Sequence, residues 1–140
     1  MYKRILVPLE NTRYDRIILD HIRGLAVQSG ASVVLLHVAD GFVARNYKAL
    51  NLRESDEMKQ DREYLERVAA DLLEAGIDAE PVLGGGDPAT EIVAAAQREN
   101  CDLIAMATHG HRGLADLVHG STANEVRHLT SIPVLMLRAP

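Results

Sequence analysis

Short apolar segments alternate with segments of helical periodicity along the chain, and this alternation restricts the fold more than any other feature. The apolar segments are Lys3 to Pro8, Ala31 to Val38, Cys101 to Ala107 and Ile132 to Leu137, and a further segment, Ile77 to Leu83, alternates roughly as a strand does. Nearly continuous aliphatic and β-branched runs are typical of strands covered on both faces, and strands joined by crossover helices pair in parallel. The sequence therefore predicts one α/β domain over residues 1–140, a doubly wound five-stranded parallel sheet with helices on both faces.

The segments between the predicted strands carry the signals of helix ends. The predicted helices run from Asn11 or Thr12 to the residue before Gly30, from about Arg53 to Ala75, from Pro88 behind an Asp87 cap, and from about Ser121 to Leu129. Small polar residues cap helix N-termini, proline suits the first turn, and glycine suits the position after the last turn. The buried stripe of the second helix is predicted to comprise Met58, Leu65, Val68, Leu72 and Leu73. Residues 39 to 52 show no clear period and are predicted to form a loop.

Composition and charge argue against several functional classes. The 140 residues carry a formal net charge of −5 with histidine neutral, whereas proteins that bind nucleic acid rely on a basic surface. A local basic site stays open, because net charge is an average. The apolar run that follows Met1 ends at Pro8 and is too short for a signal sequence or a membrane span. Cys101 is the only cysteine, so no internal disulfide can form. We expect a soluble cytoplasmic protein that binds neither nucleic acid nor a membrane.

The segment from Ala107 to Thr122 carries the strongest functional signal. In a doubly wound sheet, ligands bind beyond the carboxyl ends of the strands, and this segment follows the fourth predicted strand. Gly120, Ser121 and Thr122, at the predicted start of the last helix, offer main-chain N–H groups and two hydroxyls. Gly110 permits a second close approach of the backbone. These residues predict a site for an anion such as a phosphate; the alternative is that the glycines only form turns.

The spacing of these glycines resembles the nucleotide loop of the universal stress protein (UspA-like) family, Gly-x2-Gly-x9-Gly-Ser/Thr. Nine residues separate Gly110 from Gly120, which Ser121 follows. The resemblance extends over essentially the whole chain, through Ile5 to Pro8, Leu35 to Val38 and Asp87 to Ile92. It implies an adenine nucleotide alpha hydrolase-like fold that binds ATP. Two positions differ from the family's pattern, because Ala107 replaces the first loop glycine and Glu10 stands where an aspartate is usual.

The resemblance also implies a role for particular residues of this chain. The implied nucleotide contacts are Pro8 and Val38 with adenine, Glu10 with the nucleoside, Gly110, His111, Arg112 and Gly113 on one side of the phosphates, and Gly120, Ser121 and Thr122 on the other, and Ala107, at the first position of the loop, also belongs to the implied site. Mg²⁺ or Mn²⁺ is expected to bridge the phosphates rather than to occupy a set of protein ligands. The last strand, Ile132 to Leu137, is expected to pair with its counterpart in a homodimer, because an exposed apolar edge needs cover.

Three functions are compatible with these features. The first is an ATP-binding, dimeric sensor or regulator of the stress response, in which hydrolysis is absent or slow because the phosphate-loop spacing comes without a general base or a Walker loop. The second is a nucleotide-free dimeric module that acts through protein partners, which Ala107 and Glu10 favour. The third is an ATPase or a phosphotransferase.

The histidines and the cysteine give weaker signals. His109, His111 and His119 fall in one region, but no cysteine or carboxylate pair stands at a ligand spacing that would indicate zinc. His37 lies inside an apolar strand and is predicted to be a satisfied core or pocket-edge histidine rather than a catalyst. Cys101 is predicted to pack as a small apolar side chain.

Overall fold

Strands and helices alternate along the described part of the chain as the sequence predicts. A computed structural model describes residues 1–39, 56–109 and 114–139, and at residues 109 and 114–121 it describes the backbone alone. The elements are β1 Arg4–Pro8, α1 Asp15–Ser29, β2 Ser32–Ala39, α2 Asp56–Glu74, β3 Ala79–Gly85, α3 Pro88–Arg98, β4 Leu103–His109, α4 Leu114–Leu129 and β5 Val134–Ala139. Both ends of every strand lie within two residues of the predicted bounds.

The five strands form one parallel sheet in the order β3-β2-β1-β4-β5. Leu6 of β1 pairs with Val34 of β2 on one side and with Ile104 of β4 on the other. The strand order reverses at β1, which is the place where doubly wound sheets open a crevice at the carboxyl ends of their strands. The predicted fold class is therefore confirmed, and the sheet order indicates where a ligand site should lie.

The side chains of the sheet enter two separate apolar cores, one on each face. Ile5 and Val7 point into the core beneath α1 and α2, whereas Leu6 points into the core beneath α3 and α4, and all three are fully buried. Alternate residues of a strand point to opposite faces, so β1 contributes to both cores at once. Helices thus cover both faces of β1, which explains the continuous apolar character of its sequence.

The described ends of α1 and α3 show which capping predictions hold. Gly30 has φ 72° and its N–H donates to the Ala26 carbonyl oxygen, as expected of a glycine that follows a helix. Asp87 caps α3 by accepting a hydrogen bond from the Thr90 N–H at 3.1 Å, with proline at the first helical position. The predicted side-chain cap of α1 is wrong, because α1 begins later, at Asp15, and its N-cap residue, Tyr14, makes no side-chain cap hydrogen bond.

The predicted start of the last helix is also wrong. Helix α4 begins at Leu114 rather than near Ser121, so Gly120 and Ser121 lie in its interior. The sequence that opens α4 contains leucine and alanine and no proline, and these residues favour a helix. A glycine within a helix costs about 1 kcal/mol relative to alanine, which weakens a helix without ending it.

The long helix α2 is amphipathic, with one exception to its predicted stripe. Met58, Leu65 and Leu72 are buried, but Leu73 is 54% exposed. Adjacent helical residues point about 100° apart, so Leu72 and Leu73 cannot both face the sheet. Most of the loop predicted for residues 39 to 52 lies outside the described residues, although Ala39 itself ends β2. Among the helices of the described ranges, none is both long enough and apolar enough to cross a membrane.

Candidate functional site

A cleft of about 200 Å³ opens at the carboxyl ends of β1, β2 and β4, where the strand order reverses. Five residues expected to contact a nucleotide lie on its walls: Pro8, Glu10, Val38, Ala107 and Thr122. They come from the end of β1 and its following loop, the end of β2, β4 and the interior of α4. The fold therefore brings together residues from both ends of the sequence, as the sheet order requires.

Most of the cleft wall is apolar. Apart from the five residues above, the wall includes Pro88 and Ile92 of α3 and Met106 of β4. Glu10 and Thr122 supply polar groups, and the ring of His37 lies at the same wall. An apolar slot with a few polar groups is the usual form of a small-molecule site. The walls suit a flat aromatic ring, with polar partners available beside it.

Ala107 fits its position without backbone strain. It lies within β4, and the non-glycine residues with positive φ in the described part of the chain are Asn11 and Asn100. A Cβ is costly only where φ is positive. The departure from the family's loop glycine is thus accommodated by extended backbone, and the methyl group of Ala107 becomes part of the cleft wall.

A buried carboxylate fixes the loop that follows β1. Asp15 is 3% exposed, and its carboxylate accepts hydrogen bonds from the N–H groups of Glu10 at 2.9 Å and Asn11 at 2.8 Å. It also accepts a hydrogen bond from the Tyr64 hydroxyl of α2 at 2.6 Å. Glu10 is therefore held by its own backbone at the edge of the cleft.

Burial dominates the electrostatics of this carboxylate. It raises the pKa of Asp15, and the hydrogen bonds from Glu10, Tyr64 and Asn11 only partly oppose that effect. Burial and the neighbouring Asp15 carboxylate likewise raise the pKa of the Tyr64 hydroxyl, which stays protonated and able to donate. The site holds a negative charge that the surrounding protein does not favour.

His37 lies beside this network with both ring nitrogens engaged. Its Nδ1 lies 2.7 Å from the Leu9 carbonyl oxygen, and its Nε2 lies 3.1 Å from an Asp61 carboxylate oxygen. The other Asp61 oxygen accepts a hydrogen bond from the Asn11 side chain at 3.1 Å. The prediction that His37 is a satisfied pocket-edge histidine is confirmed.

Sequence reasoning missed the buried carboxylates Asp15 and Asp61. Both stand on the apolar stripe of an amphipathic helix, Asp15 three residues before the buried Ile18 and Asp61 four residues before the buried Leu65. A charged residue on an apolar stripe faces the core and needs partners there. That position was the available signal, but the abundant charges of α2 suggested only a solvated surface.

Several predicted phosphate contacts cannot be placed at the cleft. Gly110, His111, Arg112 and Gly113 lie outside the described residues. Gly120 and Ser121 are inside α4, so their N–H groups do not open a helix as predicted. The N–H groups at a helix start that lack carbonyl partners belong here to the residues from Leu114 onward. Thr122 is the member of the predicted Gly120 to Thr122 group whose side chain is described, and it lines the cleft.

Cys101 lies away from the cleft, at the end of the segment that leads into β4. It is 6% exposed and packs in the core beneath α3 and α4. Burial raises the pKa of its thiol to about 11, so it remains a neutral thiol at physiological pH. The prediction of a small apolar side chain is confirmed.

Comparison with known proteins agrees with this architecture. The chain is 25% identical to universal stress protein MJ0577 of Methanocaldococcus jannaschii over an alignment of 155 positions, which covers 99% of this chain and 96% of that protein. A solved structure of MJ0577 superposes with a TM-score of 0.79 at 27% identity, covering 100% and 98% of the two chains.

Two structures of more distant relatives share the fold and contain adenine nucleotides. A universal stress protein in complex with cAMP superposes with a TM-score of 0.76 at 18% identity, covering 97% of both chains. A universal stress protein of Archaeoglobus fulgidus in complex with dAMP gives 0.71 at 18% identity, covering 96% and 97%. The model of the universal stress protein family matches residues 1–138, and the chain therefore belongs to that family.

Proposed function

We propose that the cleft binds an adenine nucleotide, ATP with Mg²⁺ or Mn²⁺ bridging its phosphates, and that the protein acts as a dimeric sensor or regulator in the stress response. The observation that carries this proposal is an apolar slot at the point where the strand order reverses, edged by Glu10 and Thr122. The complexes of two family members with cAMP and dAMP support it. Adenine is the part of such ligands that an apolar slot accepts.

The described residues suggest how the nucleotide lies. Adenine packs between Pro8, Val38 and Ala107, and the ribose approaches the Glu10 carboxylate, which can accept hydrogen bonds from hydroxyl groups. The phosphates then extend past Thr122 toward the start of α4. Helix starts favour anions because their first N–H groups lack carbonyl partners.

The divalent cation is expected to depend on the nucleotide. Within the described residues, no group of three His, Cys, Asp or Glu side chains is arranged to hold a metal ion. Mg²⁺ commonly binds through phosphate oxygens and retains several waters. We therefore expect tight cation binding only when the nucleotide is present.

Hydrolysis is proposed to be absent or slow because two ionisable groups at the cleft are already committed. Asp15 accepts three hydrogen bonds, and both nitrogens of His37 are engaged. A general base must reach the attacking water, and neither group can do so without losing its structural partners.

Titration calorimetry with ATP, with and without Mg²⁺, tests the proposed binding. Ala107→Leu is expected to fill the slot and weaken ATP binding by more than about tenfold, while Ala70→Leu, on the exposed face of α2, leaves the affinity unchanged. Circular dichroism confirms that each variant is folded. No heat of binding at millimolar ATP rejects the function, whereas unchanged affinity in Ala107→Leu rejects this site.

The dimer is proposed to form through the edge strand β5. Among the described strands β5 pairs with β4 alone, and its Met136 side chain is 38% exposed. Met136→Lys is expected to block strand pairing between subunits and to yield monomers in sedimentation experiments. The matched control is Leu73→Lys, which places the same charge at an exposed leucine of α2. A dimer that persists in Met136→Lys excludes this interface.

A nucleotide-free interaction module is the second candidate. It is favoured by the carboxylates of Glu10 and Asp15 at the cleft wall, because negative charge opposes an anionic ligand. Mass spectrometry of protein purified without added nucleotide separates the two candidates. Stoichiometric adenine nucleotide supports the first, and its absence combined with a silent calorimetric titration supports the second.

A further inference from the structure

A second cavity, the helix groove, lies between residues 12–23 of the loop and α1 and residues 64–72 of α2. Its volume is about 470 Å³, compared with about 200 Å³ for the cleft, and lies within the usual range for small-molecule sites. Thr12 and Asp15 line both cavities. The helix groove is therefore a separate volume that adjoins the cleft.

The part of the helix groove that faces the core is apolar. Leu19 of α1 and Val68 and Leu72 of α2 line it, and all three pack in or against the core beneath these helices. Tyr64 adds an aromatic ring, and its hydroxyl donates to Asp15. Such a surface binds an apolar body, for example an aromatic ring, because contact with it removes apolar area from water.

The charged groups that line the helix groove are three arginines and three aspartates, and four of these six already have partners. Asp15 accepts its three hydrogen bonds. Nε of Arg16 lies 3.9 Å from a carboxylate oxygen of Asp20. The Arg13 guanidinium donates to the Tyr14 hydroxyl at 3.2 Å and lies 5.1 Å from the centre of that ring.

Arg23 of α1 and Asp71 of α2 are the two remaining charges. Within the described ranges, neither makes a hydrogen bond or an ion pair, with the other or with a third residue. Arg67 stands four residues before Asp71 and acts electrostatically on Tyr64, but it does not line the helix groove. The groove thus offers one positive and one negative side chain whose charges are available to a ligand.

The hydrogen bond between Asp15 and Tyr64 shows where these two charges lie. Helices α1 and α2 each follow a strand of one parallel sheet, so they run in the same direction and residues equally far from this bond lie at the same level. Eight residues beyond it on each helix, about 12 Å along the axes, are Arg23 and Leu72. Asp71 adjoins Leu72, and the two charges therefore stand at one end of the groove on opposite walls.

We propose that the helix groove binds a small zwitterion with an apolar body, of the class of the aromatic amino acids. Arg23 pairs with the ligand's carboxylate and Asp71 with its ammonium group, while its ring lies on Leu19 and Val68 toward Tyr64. A ligand with one charge leaves either Arg23 or Asp71 without a partner, whereas a zwitterion serves both. The inference goes beyond the proposed function, since it concerns a different cavity and a different ligand.

Titration with L-tryptophan tests the site. The chain contains no tryptophan, so the fluorescence of this probe, excited beyond the absorption of tyrosine, has no protein background. We expect a saturable change at millimolar tryptophan as the ring leaves water. Tryptamine lacks the carboxylate and indole-3-propionate lacks the ammonium group, and each is expected to bind about tenfold more weakly. No saturable binding of tryptophan, or equal binding of either analogue, overturns the proposal.

Two variants separate the two charged contacts. Arg23→Gln is expected to weaken tryptophan binding by about tenfold and to leave tryptamine binding unchanged, because tryptamine has no carboxylate to lose a partner. Asp71→Asn is expected to weaken tryptophan to the same extent and to spare indole-3-propionate. The control is Arg127→Gln, at an exposed position of α4 on the other face of the sheet. Wild-type affinity for tryptophan in either variant overturns the proposal.

Methyl-resolved NMR of the unmodified protein locates the probe without any substitution. The indole ring is expected to shift the methyl signals of Leu19 and Val68, whereas those of Val38, at the wall of the cleft, should stay in place. Shifts at Val38 without shifts at Val68 would place tryptophan in the cleft and overturn the proposal. These experiments contain no nucleotide, so their outcome is independent of whether the cleft binds ATP.

Discussion

Asp15, near the carboxyl ends of the strands, and Asp102, at the amino ends, each accept hydrogen bonds from two consecutive backbone N–H groups. Glu10 and Asn11 donate to Asp15, and Lys3 and Arg4 donate to Asp102. The pKa of Asp15 is nevertheless raised, whereas the pKa of Asp102 is lowered. Burial disfavours the charge in both cases, but at the half-buried Asp102 the backbone hydrogen bonds outweigh it.

Charged side chains at the two ends of the sheet thus differ in their environment. At the amino ends, the Arg4 guanidinium lies 3.0 Å from carboxylate oxygens of both Glu80 and Glu99, and its Nε donates to the Glu99 carbonyl oxygen. Opposite charges are paired there near solvent, where little free energy is lost in removing water from the charged groups. At the carboxyl ends, Asp15 is buried beside the cleft at a cost in stability. A buried charge that opposes folding is a common property of functional sites.

The largest effect is expected at the cleft end. Asp15→Ala leaves the N–H groups of Glu10 and Asn11 and the Tyr64 hydroxyl without their acceptor, and we expect a loss of about 3 kcal/mol in the free energy of unfolding. Urea denaturation measures it. Asp20→Ala, which removes an exposed carboxylate of the same helix, is expected to change stability by less than about 0.5 kcal/mol. Similar losses of stability in the two variants would show that the buried hydrogen bonds of Asp15 contribute no more than an exposed carboxylate does.

A smaller loss in the free energy of unfolding is expected when only one of the three hydrogen-bond donors to Asp15 is removed. Tyr64→Phe deletes the hydroxyl that lies 2.6 Å from Asp15, and we expect a loss of about 1.5 kcal/mol. The pKa of Asp15 should rise further, because this hydrogen bond favours the ionised form. Carbon-detected NMR of the carboxyl group measures that change. The control is Tyr14→Phe, whose hydroxyl accepts a hydrogen bond from Arg13 near solvent, and there both quantities should change much less.

At the amino ends, Asp102→Ala is expected to cost about 1 kcal/mol. The freed N–H groups of Lys3 and Arg4 are near solvent, so water replaces much of what the carboxylate supplied. Denaturation in urea gives the value. A cost as large as that of Asp15→Ala would remove the contrast between the two ends.

The smallest effects are expected in the dependence of stability on pH, and they have opposite signs. The pKa of Asp15 is raised above the usual 3.8, so its favourable contribution is complete only below that value and is lost as the pH rises through the raised pKa. The pKa of Asp102 is lowered, so its contribution is present above 3.8 and is lost as the pH falls through the lowered pKa.

Matched amide variants separate these two contributions. As the pH falls from neutral toward 3.8, the stability of the wild type relative to Asp15→Asn should increase. Below 3.8, its stability relative to Asp102→Asn should decrease. Unfolding curves in urea at several pH values measure both differences, and trends of the same sign would contradict the assigned shifts.

The sequence was sufficient to predict the sheet, because the signals for strands and helix ends are local. The run Ile5 to Pro8, the glycine at position 30 and the pair Asp87 and Pro88 each act through their own backbone geometry. The start of α4 was not predictable from Gly120, since a glycine is compatible both with a loop and with a helix interior. The helix-forming residues that precede Gly120, from Leu114 onward, place it in the interior of α4.

The wall of the cleft was predictable where it depends on the ends of strands and not where it depends on long-range contacts. The topology predicts that the segments containing Pro8, Val38 and Ala107 meet, because the carboxyl ends of neighbouring parallel strands lie at one edge of the sheet, whereas their roles toward a nucleotide come from the family resemblance and stay predictions. The partnership of Asp15 with Tyr64 joins residues on two helices and depends on how those helices pack over the sheet. No local sequence pattern encodes this contact, because the two residues are far apart in the sequence.

The reversal of strand order at β1 has a consequence for how the molecule opens. The cleft takes its walls from β1 and β2 on one side and from β4 and α4 on the other, so a molecule bound there touches both the early and the late parts of the chain. Any partial unfolding that separates these parts must first release the occupant. A filled cleft should therefore slow hydrogen exchange on both sides of β1 together, far from the atoms it contacts.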